Sequence, residues 1–134
     1  MTGSRKTIIA AAIGAVTLVA ASPAAAQPDA WFVGADGGDA TLSRAAGGTY
    51  TLEGCDTEGD GFGAIAQIFN SSGKEVARAR DVGGADNGCA VTRGIPRKRL
   101  GRDIKFRITV KDHNGSEGPR GAVKDEKLRF IRLF

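Results

Sequence analysis

Ile104-Lys105-Phe106-Arg107-Ile108-Thr109-Val110-Lys111 alternates apolar with cationic or hydroxyl side chains at every step. Successive side chains of a strand point to opposite faces, so this period of two describes a half-buried strand. Ile104, Phe106, Ile108 and Val110 face a core, and Lys105, Arg107, Thr109 and Lys111 face away. Burying each of the four apolar groups contributes roughly 1.5–3 kcal/mol before chain entropy is counted.

Working outward, further short strands are expected at 31–33, 41–44 (a brief edge strand), 49–53, 64–69, 74–80, 89–92 and 128–134, separated by glycine-rich turns. Asn70-Ser71-Ser72-Gly73 turns 64–69 back into 74–80 as a hairpin. Pattern alone does not decide which side of 74–80 faces inward, although Ala77 and Ala79 imply close sheet packing. Arg97 to Arg102 reads as an exposed connection after Pro96. The expected fold is all-β, an antiparallel β-sandwich of about seven strands with one disulfide. Size and strand count favour an immunoglobulin-like form, but Trp31 precedes both cysteines instead of lying between them.

At the start of the chain, Arg5 and Lys6 precede an uncharged apolar run at 8–21, then Pro23 and the small-residue site Ala24-Ala25-Ala26. These are the parts of a signal peptide cut after Ala26. The run is shorter than the roughly 20 apolar residues of a membrane-spanning helix. The organisation expected is a signal peptide at 1–26 and a single β-sandwich domain at 27–134, secreted, with no membrane span in the mature chain.

Both cysteines fall in the mature part, and an exported protein meets an oxidising compartment, so Cys55 should pair with Cys89. No CxxC spacing or nearby histidine favours a metal site on these sulfurs. Between them, Asp56, Glu58 and Asp60 followed by Gly61 match the first half of a calcium loop. The second half fails, because Gln67 stands where a bidentate Glu belongs; Asp81 or Asp86 would have to complete a weak site. No cofactor is otherwise expected.

Charge is divided along the chain. Residues 28–92 hold four basic and ten acidic residues, a balance of −6, and residues 93–134 hold thirteen basic and five acidic, a balance of +8. The bland reading interleaves the two halves in one fold, where the charges offset each other. The sharper one gathers Arg97, Lys98, Arg99, Arg102, Lys105, Arg107 and Lys111 into a polyanion-binding patch. Specific nucleic-acid recognition is disfavoured, because few aromatic residues accompany these cations.

His113, the only histidine, lies in Asp112-His113-Asn114-Gly115-Ser116, which is turn chemistry. Nothing in that spacing supplies a Ser-His-Asp constellation with Ser116. Asp56 and Asp60 lack the aromatic-lined cleft of a glycosidase. An enzyme is therefore not expected.

Gly54-Cys55-Asp56-Thr57-Glu58-Gly59-Asp60-Gly61, the glycine loop before Cys89 and the strand from Ile104 together resemble an uncharacterised group of small exported single-disulfide β proteins of high-GC Gram-positive bacteria. They share the pattern CD-x-E-x-DG. The resemblance implies export and a compact β fold and transfers no catalytic residue. The functional expectation is a non-catalytic module binding an anionic cell-wall polymer or other polyanionic surface. The alternative is a protein-directed binder, such as an inhibitor of a secreted enzyme, presenting 97–102 or 113–121.

Overall fold

The computed structural model describes residues 29–59, 61–82, 88–112 and 122–134. The strands are β1 (Ala30–Ala35), β2 (Gly38–Arg44), β3 (Thr49–Asp56), β4 (Phe62–Phe69), β5 (Glu75–Asp81), β6 (Ala90–Pro96), β7 (Asp103–Asp112) and β8 (Val123–Arg132). One short helix, α1 (Arg97–Leu100), links β6 to β7.

Two antiparallel sheets of four strands face each other, the first ordered β1-β2-β3-β6 and the second β5-β4-β7-β8. The expected all-β sandwich with one disulfide is therefore the fold, with eight described strands. Its first sheet opens with a meander of three consecutive strands, a connectivity unlike the A-B-E-D sheet of immunoglobulin domains. Tight linkage explains the meander. Gly37, at φ 95°, takes the β1–β2 turn in a region costly for other residues, and a 3-10 turn at Ala46–Gly48 joins β2 to β3.

β7 follows its alternating sequence: Ile104, Phe106, Ile108 and Val110 are buried, with Phe106 the largest fully buried side chain. Facing them are Trp31, Val33, Leu42, Tyr50 and Leu52 of the first sheet. Arg44 covers one end of this core, its guanidinium 5.5 Å from the Trp31 ring centre and bonded to the Leu133 carbonyl at 3.0 Å.

Small residues set the sheet separation at the other end. Ala64, Ala66, Ala77 and Ala79 are buried, which settles the inward face of β5. A Cβ on Gly54 would lie 2.9 Å from the Ala79 carbonyl oxygen and 3.1 Å from the Ala66 Cβ. Backbone cannot yield cheaply, so Gly54→Ala is expected to cost about 1–3 kcal/mol by overpacking, read as a lower urea midpoint with an unchanged m-value.

Three local expectations change. β2 is an interior strand, not an edge, because it pairs antiparallel with β1 on one side and β3 on the other. The segment after Pro96 is not simply an exposed connection: it coils into α1, which buries Leu100 fully while Arg97, Lys98 and Arg99 stay outside. The last strand begins at Val123, five residues before the expected start at Leu128.

Candidate functional site

Cys55 at the end of β3 bonds Cys89 just ahead of β6, with their Cα atoms 4.4 Å apart. β3 and β6 are neighbours in the first sheet, whereas the intervening β4–β5 hairpin belongs to the second. The bridge thus fastens the point where the chain leaves one sheet and the point where it returns. Glu53 lies near both sulfurs, but sulfurs joined in a disulfide are not thiolate ligands for a metal.

The acidic end of the sandwich adjoins this bridge. Asp56 is buried at 5 % exposure; its amide donates to Asp81 Oδ2 at 2.9 Å, and its own Oδ1 accepts the Glu58 amide at 3.1 Å. Asp39, opposite Cys55 in the register, has its carboxyl pushed up by burial. Lys124 of β8 reaches Glu58 at 2.6 Å and lies 4.0 Å from Asp36. Asp125 accepts the Asp36 amide at 2.8 Å and lies against Lys127; these contacts hold its carboxyl below the usual carboxylate range.

Of the partial calcium loop, then, Asp56 caps its own turn and Glu58 holds a lysine ammonium. Asp60, Asp86 and His113 lie outside the described residues, as do Ser116 and the rest of 113–121. Sequence reading missed Lys124 because it is 66 residues from Glu58 and meets it only when β8 docks along β7.

A second feature is the outward face of the second sheet. Gln67 of β4 stands between Arg78 of β5 and Arg107 of β7 in the register. Its Oε1 accepts Arg107 Nη2 at 2.7 Å, and Arg107 also sits 4.8 Å from the Phe69 ring centre. Glu75 takes Arg78 at 2.7 Å, and that bond is the main reason its carboxyl is lowered. Lys105 lies 5.8 Å from the ring centre of Phe130, which is 74 % exposed beside Leu128 at 46 %. Thr109 donates to Glu126 at 2.9 Å.

The seven cations named from the sequence therefore divide. Lys105, Arg107 and Lys111 lie along β7, with Gln67 and Glu126 interposed on the same face. Arg97, Lys98 and Arg99 belong to α1, and Arg102 follows it. Arg97 stacks 3.6 Å from the Phe134 ring centre beside a shallow cleft lined by Gly47, Gly48, Thr49, Pro96 and Lys98. Among the described residues, no helix is long and apolar enough to cross a membrane.

Fold and bridge define the class: an all-β, disulfide-bonded antiparallel sandwich. Among solved proteins it is similar to an endonuclease/exonuclease/phosphatase from Beutenbergia cavernae DSM 12333, with a TM-score of 0.63 and 20 % identity over 76 % of this chain. The match occupies 26 % of that chain, about a quarter of its length. No family model and no curated protein matches. This likeness overturns the expectation of a free-standing module for the cell envelope or another polyanion, and its alternative of an enzyme inhibitor. A similar fold covers about a quarter of a longer chain named as an endonuclease/exonuclease/phosphatase.

Proposed function

We propose that this chain is an exported, non-catalytic β-sandwich that serves a phosphoester-cleaving enzyme as an accessory unit. The observation that carries the reading is coverage: the likeness takes in 76 % of this chain but 26 % of the enzyme's. A sandwich of this size is one part of that larger protein. The described carboxylates fit a supporting role, because Asp56, Glu58, Glu75, Asp125 and Glu126 each hold a backbone amide, a cation or a hydroxyl within the fold. Export fits the oxidised Cys55–Cys89 pair and the signal-like residues 1–26.

The test is native isolation of the tagged chain from the medium of the exporting cell, followed by assay on a simple phosphodiester. Phosphodiesterase activity is expected to accompany the native isolate and to leave with a partner when the isolate is washed in mild denaturant. A native isolate without activity contradicts the reading.

A further inference from the structure

β8 ends the second sheet, with β7 on one side and no strand on the other among the described residues. It is ten residues long, and natural sheets protect such an edge with short length, proline or charge. Charge occurs on both faces of β8, and the inward charges Asp125 and Arg129 are engaged within the fold. Arg129 Nη1 donates to the Phe32 carbonyl at 2.9 Å, and Asp125 takes the Asp36 amide, so both side chains are turned across the sandwich toward β1. The outward face instead presents Glu126, Leu128, Phe130 and Arg132, the middle two being large exposed apolar groups.

That outward series has a property that depends on direction. Reversed and laid against itself about Arg129, it sets Glu126 against Arg132 and Leu128 against Phe130, then repeats both pairs in mirror order. Each outward position meets a partner of opposite charge or a second apolar group, the pairs that stabilise neighbouring strands. Side chains alternate faces, so only shifts that keep the outward residues together compete. Along the outward row, centring the pairing on Leu128 puts Glu126 against Phe130, and centring it on Lys127 puts Glu126 against Leu128. Neither matches charge with charge and apolar with apolar along the outward row. The register about Arg129 also stays clear of the irregularity opposite Val110 and Lys111, because it uses residues 126–132 alone.

We propose that β8 pairs antiparallel with β8 of a second copy about a two-fold axis at Arg129, joining the two second sheets into one continuous sheet across the dimer. The interface is isologous, as a closed two-fold requires. Phe130 and Leu128 of each copy cover one another, and Glu126 and Arg132 close both ends of the row. Arg129 lies on the axis, where its guanidinium is already directed to the Phe32 carbonyl of its own chain.

The test is sedimentation equilibrium of the purified chain up to millimolar concentration, comparing wild type with Glu126→Arg, Arg132→Glu and the double exchange. Both side chains are well exposed, at 46 % and 69 %, so circular dichroism should be unchanged. Each single change sets like charges opposite each other twice per dimer and is expected to weaken dimerisation about tenfold. The double exchange restores the opposite-charge pairs and should recover wild-type affinity. It also leaves the Thr109–Glu126 and Arg132–Asp103 contacts within each chain broken, so recovery cannot come from folding. A wild-type chain that stays monomeric, or a double exchange as weak as the single ones, overturns the proposal.

Discussion

Phe106→Asp leaves the chain unfolded, with the far-ultraviolet spectrum of a coil and no cooperative transition on heating. Phe106 is completely buried on a strand flanked by β4 and β8 and faces the first sheet, so an ionised carboxylate there has neither water nor a partner. Removing the ring alone already costs a great deal. Phe106→Ala is expected to lose about 3–5 kcal/mol, the usual sum of lost transfer energy and cavity. Whole domains are stable by only about 5–15 kcal/mol, so the Ala variant remains folded at low temperature with a much reduced denaturant midpoint. An Asp variant that melts like wild type would mean that the two sheets do not close over β7.

Loss of the Cys55–Cys89 bond has the next largest effect. The bridge spans 34 positions of sequence, and the chain-entropy account gives a loop of that length about 3–4 kcal/mol. Its place adds a structural consequence, because it ties the departure from β3 to the return into β6 around the whole β4–β5 hairpin. The Cys55→Ser, Cys89→Ser double variant should therefore lose about that much unfolding free energy, read as a lower urea midpoint. Amide exchange should rise first at the β3–β6 pairing around Gly54 and Ala90. Equal stability of the oxidised and double-serine chains would show that the neighbouring strands hold this junction without it.

Much of the architecture is written locally. β7 alternates because one face meets the core and the other does not, and the disulfide joins the only two cysteines of the sequence. What escaped sequence reading depends on what lies opposite in space. The alanines of β5 face inward because Gly54 brings the first sheet too close for larger groups, and nothing within β5 records that glycine. The start of β8 was concealed because its inward side chains meet backbone at and just beyond β1, Arg129 at Phe32 and Asp125 at Asp36 of the following turn, and 123–127 carries no apolar alternation. Leu100 is buried by the fold of α1 among three exposed cations.

The candidate site was legible only in part. Asp56 and Glu58 stood out as acidic residues beside a cysteine, but the ammonium that engages Glu58 comes from β8, and that pairing is set by topology. The cations of 97–111 form a dense run in sequence. In space, a helical turn carries some to one end of the sandwich and strand alternation carries the others onto a face already occupied by Gln67 and Glu126.

The most direct measurement is phosphodiesterase assay of residues 27–134 after purification in denaturant and refolding with the disulfide intact, with and without added magnesium or manganese. A supporting sandwich predicts no turnover above buffer from the refolded chain, although the native isolate is active. Turnover by the refolded chain alone, proportional to its concentration, would contradict that role and place catalysis within the sandwich itself.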